Sequence, residues 1–594
     1  MPMTTVICLH AAVAQKSYGS EKRFLCPPPI VRIEGPVWHL RTQQLSMAVV
    51  SETGERSFEQ KATLDNNMTS SFKFLHVTGT AKAKSFQLSL DIAEPPPPSL
   101  NPEGSEPATG RVWATFDSAP VTIISKPSKK TAKTRNISSC ILAGGPVSLF
   151  NRINSQTVRT KYMTIDHAQL CASNVGWSAF NVNVVRRPSG SPATSTCHVM
   201  GPFFHSCSQT SFPDGPQPVT YGCEIVLSDT VSGISTSPLV IRKVDKGRVS
   251  LDDGGPVSQM QKIALQRVNP DGSRHYLSAA GPLPGTPGVV APPAPGMSTQ
   301  AGTHPLLFQN PRIRDEVRDG VRVISDEVDD YLCWTIVGIS KFQYTFFDAF
   351  GQNNKIPEQP VTPFPTLFTA PVYRPQTNII ELTVSNFFYD HPKTHIQTAL
   401  DIYLGNLGPL PARVYQTSPP GPLTAISPFV QVAGNPSVES NLPVAMPQDA
   451  ATGPLQRYNG PLHTIVMVEM PTIPDIIKAL EEDGLPPHAD DVSASKHASG
   501  ESSPHDGAPP RPPSAPPHPH SIAGRSLPLL FIRSSDGVGY HSGRTIACDC
   551  IYTQLGLSAV PHGLPDGAPI DPQWMAAAQA AAESNISAWT LRVM

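Results

Sequence analysis

Charge is scarce in this chain: Asp, Glu, Lys and Arg make up 15% of its 594 residues, against about a quarter in an average domain. Long helices with salt-bridged outer faces are therefore not expected. No apolar run approaches the roughly eighteen residues that a membrane helix needs, so no membrane partner is expected. The ten cysteines are scattered without the rhythm of a disulfide framework, and they read as reduced intracellular thiols. Cys197, His198, His205 and Cys207 offer four ligands, but at no zinc-finger spacing, and Cys548 and Cys550 lack partners. No metal or other cofactor is expected. Walker loops, serine elbows and spaced carboxylate pairs are absent, and the glycines at 537, 539 and 543 do not fit a dinucleotide fingerprint. The chain does not read as an enzyme, and no small-molecule substrate is implied. Residues 1–15 end in small residues like a signal peptide but lack its basic start, so secretion is not expected.

Proline is abundant instead, with 66 residues, which points to loops and linkers between short strands. The net charge of −2 hides an asymmetry. Between Arg111 and Tyr162 nine Lys or Arg stand against one Asp, a net +8 that leaves −10 for the rest. A cationic stripe on a nearly neutral chain suits a polyanionic partner.

One stretch organises the rest. An apolar run at 6–13 reads as a buried strand; Lys16, Tyr18, Lys22 and Arg23 follow within eight residues; then three prolines, Pro27 to Pro29, fix an extended backbone without donors. Such a loop is held from both ends and presents its side chains outward. A guanidinium beside ammonium groups and an aromatic ring suits phosphates and guanine edges. Taken alone, the same residues fit a solvated hairpin equally well.

Short β-type runs fill 1–140, at 6–13, 46–51, 71–77, 85–92, 111–116 and 121–124, with Phe72 and Phe74, and Phe86, Leu88 and Leu90, at the two-residue period of half-buried strands. Four prolines at 95–98 open a loop to Gly110. Strands continue through 141–350, where Gly-Gly-Pro-Val-Ser occurs at 144–148 and again at 254–258. The stretches 186–216 and 280–330 read as mobile insertions, the second including a mixed-charge run from Arg312 to Asp330. Beyond residue 356, strands are expected at 379–387, 401–405, 463–468 and 529–539, with Ser535 to Gly537 as a hairpin turn. A Pro/His/Ser segment at 484–520 interrupts them. A tail from 556 to 594 carries an Ala-rich helix at 571–582.

VAQKSYGSEKRFLCPPP at 13–29, ISKPSKK at 124–130, LFNRINSQTVRTKY at 149–162, LVIRKVDK at 239–246, PVSQ at 256–259, and WTI and YTF at 334–336 and 344–346 resemble, in order and spacing, the signature stretches of the CSL family. These are the RBP-J kappa, Suppressor of Hairless and LAG-1 transcription factors. The resemblance covers roughly 1–350 and continues more faintly to about 550; the proline-rich insertions are similar to those of fungal members. It implies an all-β chain: a Rel-like β-sandwich N-terminal domain at 1–140, a β-trefoil at 141–350 and an Ig-like (IPT/TIG) domain at 356–555, with disordered insertions. It implies a nuclear regulator of RNA polymerase II transcription that binds a GTGGGAA-like element of double-stranded DNA as a monomer.

The residues that would carry this are Lys16, Tyr18, Lys22 and Arg23 in the major groove, Lys126, Ser128, Lys129 and Lys130 on phosphates, and Arg152, Ser155 and Gln156 in the minor groove. Asn154 stands where the family usually has a second arginine, so that either one phosphate contact is lost or Arg159 and Lys161 replace its charge. Relatives receive an aromatic-containing peptide of Notch or of co-repressors in a trefoil pocket. Here Phe212, Ile234 and Ser235 mark that region, and Thr210 and Ser235 replace apolar side chains. Hydroxyls there disfavour an apolar peptide, so co-regulators are expected and Notch is not. Relatives also carry a basic segment before the first strand; with Met1 almost abutting Val6, a misassigned start or a shortened clamp is expected. Two other readings stay open: a carbohydrate-binding β-trefoil, and a scaffold of this fold without DNA contact.

Overall fold

The computed structural model describes residues 2–18, 22–35, 43–78, 83–95, 110–125, 139–152, 160–188, 217–250, 254–281, 302–318, 321–351, 356–391, 393–394, 396–416, 430–431, 463–482, 522, 524–550 and 589–594. They fall into two compact units, one of Val6–Glu34 with His39–Gln343, the other of Met1–Thr5, Gly35–Trp38 and Tyr344–Met594.

The first unit opens with the Rel-like sandwich. Met3–Ala11 alternates inward and outward side chains, burying Val6, Cys8 and His10, because successive residues of a strand point to opposite faces. One sheet runs in the order Val13–Gln15, Val121–Ile124, Ser85–Ala93, Gln44–Ser51, Arg56–Ala62, with Val112–Asp117 also on Ser85–Ala93. The other pairs Met3–Ala11, Ile30–Glu34 and Thr69–Ser71. Trp113, Phe72, Phe116 and Leu90 fill the space between them. Residues 96–109 of the proline insertion lie outside the described residues; its ends are closed by the Glu94 N–H donating to Arg111 O at 2.9 Å.

The strand expected at 71–77 is mostly absent. Ladder pairing stops at Ser71, and the next backbone groups turn to a neighbouring loop: the Leu25 N–H donates to Leu75 O at 2.8 Å and the Ser17 N–H to Val77 O at 3.0 Å. The two-residue alternation fails with it, so Phe72 is buried while Phe74 is 64% exposed.

The β-trefoil follows. Ile141 N–H donates to Val257 O, Val219 N–H to Ile141 O, and Val257 N–H to Val219 O, each at 2.8 Å. This closed ring of three bonds relates the three pseudo-repeated units. Leu149, Phe180, Leu227, Ile241, Leu265 and Trp334 pack inside it, and the Trp334 indole N–H donates to Leu277 O at 2.8 Å. The ring also shows that the two Gly-Gly-Pro-Val-Ser copies, which a trefoil's pseudo-repeats would be expected to place at equivalent positions, are not equivalent. Val257 of the second copy has Ile141 and Val219 as its equivalents, whereas Val147 of the first copy lies in the strand Pro146–Arg152 and pairs with Gly338.

The insertion expected at 280–330 is only partly one. Residues 282–301 lie outside the described residues, but Thr303–Pro305 and Leu307–Gln309 pair into the trefoil, and Arg312–Arg318 and Val321–Glu327 form a hairpin in continuous register. A buried polar chain anchors it. The Tyr276 hydroxyl donates to Asp326 Oδ2 at 2.6 Å, Gln266 Nε2 donates to Tyr276 at 2.7 Å, and Arg242 Nε donates to Gln266 Oε1 at 2.9 Å. Satisfied networks of this kind order a segment that composition alone marks as polar. Of the 186–216 insertion, residues 189–216 lie outside the described residues.

The second unit is an Ig-like sandwich. One sheet carries Thr366–Leu367 and Val372–Arg374 on Ile379–Ser385, then His463–Glu469, Ala412–Gln416 and Val430–Gln431. The other runs Asp401–Leu404, Ser526–Ile532, Val538–Cys550, Trp589–Val593. That last strand corrects the reading of 556–594 as a tail: Ile546 pairs with Val593 and Cys550 with Trp589. The helix expected at 571–582 and the segment 484–520 lie outside the described residues. An unexpected helix, Ile473–Glu482, buries Ile476, Ile477 and Leu480; it starts at Thr472, whose Oγ1 accepts from the Asp475 N–H at 3.4 Å. No helix among the described residues is long and apolar enough to cross a membrane.

Candidate nucleic-acid interface

The loop from Lys16 to Cys26 grows out of the edge where Val13–Gln15 runs parallel to Val121–Ile124. The Lys16 N–H donates to Ile124 O at 3.0 Å and Gln15 Nε2 to Ser125 O at 3.3 Å. On the return leg the Arg23 N–H donates to Ser17 Oγ at 2.9 Å, and Phe24 bridges His76. Lys16, Tyr18, Lys22 and Arg23 therefore stand on two cross-tied legs, with residues 19–21 at the tip outside the described residues. Tyr18 is 44% exposed, and the Arg23 guanidinium carbon lies 5.5 Å from its ring centroid, a cation–π distance that orients the fork.

Aromatic rings support the legs from behind. Phe24 meets His76 and Phe74 edge-on, at 5.9 and 5.7 Å, and His76 in turn lies 4.0 Å from Phe58. At the end of the return leg the triple proline is buried, and although it has no N–H to donate, its carbonyls accept from neighbouring groups. Pro29 O accepts from the Phe72 N–H at 2.9 Å, and Pro28 O accepts from the Trp177 indole N–H, also at 2.9 Å.

That tryptophan belongs to the trefoil, so the proline run is where sandwich and trefoil join. Ala11, Cys26, Phe150, Tyr162, Trp177, Ala179, Val337 and Ile339 form one apolar cluster across the seam. Tyr162 OH lies 3.5 Å from Cys26 Sγ, and burial pushes the phenol pKa well up, which keeps it neutral. The Ala12 N–H adds a bond to Gly338 O at 2.9 Å.

Two further basic segments start beside this loop. Lys126, Ser128, Lys129 and Lys130 lie outside the described residues, but they follow Ser125, whose carbonyl is tied to Gln15. Ser155 and Gln156 also lie outside them, in 153–159, between strands Pro146–Arg152 and Thr160–Asp166. The ends of that hairpin are described: Arg152 pairs with Thr160, and the Arg152 guanidinium sits 4.9 Å over the Phe150 ring. Thr160 and Tyr162 share a cavity of about 220 Å³ with Phe24, Leu25, Lys73 and Phe74. The loop and the hairpin root thus share one cavity, and the root of the 126–130 segment is tied to the first leg of the loop, with Ile124 packed on the seam cluster.

Of the three partner-pocket residues two are described, and neither lines this cavity. Phe212 lies outside the described residues; Ile234 is half-buried and Ser235 exposed in the turn after Glu224–Asp229. The Ser235 hydroxyl donates to Ser228 Oγ at 2.8 Å and so is satisfied within the turn. Neither Lys73 nor Trp177 was singled out by sequence, because no local pattern marks a residue that matters through a seam. Among the described residues no cluster of three or more His, Cys, Asp or Glu could hold a metal ion.

Next to the hairpin root, Lys161 Nζ lies 2.5 Å from His304 Nε2. Burial lowers both pKa values, and His304 Nδ1 lies 3.2 Å from Pro305 O, which leaves Nε2 as the acceptor in the neutral ring. A folded-state pKa below the ordinary 6.5 gives a contribution fully present above that value and lost as pH falls through the lowered one. The stability difference between wild type and His304→Gln, measured by thermal melting, is therefore expected to shrink as pH is lowered from about 7.5 towards 5. A constant difference would remove His304 as the cause.

Comparison with known proteins bears on this face. Residues 6–138 match the family described as LAG1, DNA binding, and residues 166–281 match the beta-trefoil DNA-binding domain. Transcription factor cbf11 of Schizosaccharomyces pombe is 30% identical over 421 residues, covering 69% of this chain and 61% of that protein. The recombining binding protein suppressor of hairless-like proteins of Mus musculus and Homo sapiens are 31% and 32% identical over 387 and 390 residues, covering 61% of this chain and 63% and 62% of theirs. The chain spans about three-fifths of the length of these relatives.

A Rel-like sandwich joined to a β-trefoil, each matching a DNA-binding module, defines a class of DNA-binding proteins. In both matched modules and along these relatives the chain is similar to the CSL transcription factors.

Proposed function

We propose that this protein is a nuclear, sequence-specific regulator of transcription that binds a GTGGGAA-like element of double-stranded DNA as a monomer. The observation that carries the proposal is the shared face. The cross-tied Arg23 loop, the exit at Ser125 towards Lys126, Lys129 and Lys130, and the root of the 153–159 hairpin at Thr160 lie around one seam. A rigid seam sets the distance between a major-groove reader and a minor-groove reader, which is what recognition of a short duplex by one molecule requires. Arg23 is assigned a bidentate contact to guanine, Gln156 and Ser155 the minor-groove edges, Lys16, Lys22 and the 126–130 lysines the phosphates, and Tyr18 the orientation of Arg23. Co-regulator proteins are the expected partners, and Notch is not among them.

A mobility-shift assay with a GTGGGAA duplex and a scrambled duplex tests this. Arg23→Ala and Gln156→Ala are each expected to reduce discrimination by about 1–3 kcal/mol, while Lys129→Ala weakens both probes alike. Equal affinity of the wild type for the two duplexes would end the proposal.

A further inference from the structure

Phe74 is one of several exposed large apolar side chains, and it is the one that packs on the ring of Phe24 in the Arg23 loop. Sequence alternation assigns it to the sandwich core, yet it is 64% exposed, so most of the free energy of burying its ring is forgone in the free protein. Its position is nonetheless defined: the ring stands edge-on to Phe24 at 5.7 Å, 76° between planes, and its N–H donates to Gln60 Oε1 at 2.9 Å. Lys73 beside it is exposed and, among the described residues, makes no ion pair.

The location suggests what covers this ring. Lys73 and Phe74 line the 220 Å³ cavity together with Phe24 and Leu25 of the Arg23 loop and Thr160, Asn174 and Val175 of the trefoil. They stand between the loop assigned to one groove and the root of the hairpin assigned to the other. Major and minor grooves are separated by a sugar–phosphate strand, so a surface lying between two such readers faces that strand.

On the DNA-binding reading above, we propose that Lys73 and Phe74 form a further contact element, beside the three already assigned, that meets the sugar–phosphate strand dividing the two grooves. The Phe74 ring packs on the apolar face of a deoxyribose, and the Lys73 ammonium neutralises a flanking phosphate. Such a contact carries affinity and register rather than base identity, and it recovers the burial that the free protein lacks.

The experiment uses the full chain with Phe74→Ala, Phe74→Tyr and Lys73→Ala, the GTGGGAA and scrambled duplexes, and hydroxyl-radical footprinting. Phe74→Ala is expected to weaken the GTGGGAA complex roughly tenfold and to lose protection of the sugars between the two grooves. Phe74→Tyr keeps both. Lys73→Ala weakens both duplexes and lowers the slope of log affinity against log salt by about 1. If Arg23→Ala loses discrimination while Phe74→Ala and Lys73→Ala keep wild-type affinity, salt slope and footprint, this inference fails and the DNA-binding reading stands. A wild type that binds neither duplex ends both. A lowered melting temperature for Phe74→Ala, with Lys73→Ala unchanged in salt slope, would make the pair structural and also overturn it.

Discussion

Replacing Asp536 with alanine is expected to destabilise the C-terminal unit by about 3–5 kcal/mol, because it leaves a buried guanidinium without its counter-charge. Arg533 is 1% exposed. Its Nε and Nη2 donate to the two carboxylate oxygens of Asp536 at 2.7 and 2.6 Å, its Nη1 donates to Pro360 O at 2.8 Å, and its face lies 4.1 Å from the Tyr389 ring centroid. Asp536 sits in the turn between Ser526–Ile532 and Val538–Cys550, so the ion pair also fixes that hairpin. Its removal strands the charge where water cannot reach it. The double variant Arg533→Met with Asp536→Ala, which removes both charges, is expected to recover much of the loss. Urea unfolding followed by tryptophan fluorescence and circular dichroism reads both effects. A single-variant loss under about 1 kcal/mol would show that the guanidinium is hydrated after all.

Trp177→Ala should cost a similar amount, about 3–5 kcal/mol, but in the other unit and with a functional consequence. Trp177 packs against Cys26, Phe150 and Tyr162 and donates to Pro28 O, so it holds the proline run to the trefoil. Emptying that site loosens the relation between the Arg23 loop and the hairpin root, and GTGGGAA discrimination should fall even though neither reader is altered. Trp177→Phe keeps most of the packing and loses the indole bond, at about 1 kcal/mol, with discrimination largely retained. Full discrimination in a folded Trp177→Ala protein would mean that the seam does not set the spacing of the two readers.

The strands at 6–13, 85–92, 121–124, 379–387 and 529–539 were legible because apolar side chains alternate or run continuously there and turn residues bound them. Chemistry at the interface was legible for a related reason. Arg23, Tyr18 and the lysines of 124–130 are cationic or aromatic residues concentrated in an otherwise weakly charged chain. Phe74 was misread because alternation holds only while a ladder continues, and here the ladder yields at Ser71 to bonds with Leu25 and Ser17. The charged hairpin 312–327 was misread because composition cannot show that Asp326 has Tyr276 and Arg274 as partners. The helix Ile473–Glu482 does carry a local signal, the Thr472 and Asp475 cap ahead of Ile476, Ile477 and Leu480, but it is a short one beside the strands that surround it.

From its residues alone this protein is determined to be built of strands, to carry its positive charge in the first third, and to present a basic aromatic loop ahead of three prolines. These properties are local, set by side-chain period, charge and the backbone limits of proline. The tertiary structure decided which segments share a face, that sandwich and trefoil meet through Trp177 and the proline carbonyls, and that Phe74 stands outside the core. Those outcomes depend on bonds between residues far apart in the chain, such as Trp177 with Pro28 and Leu25 with Leu75, and no short window of sequence contains both partners.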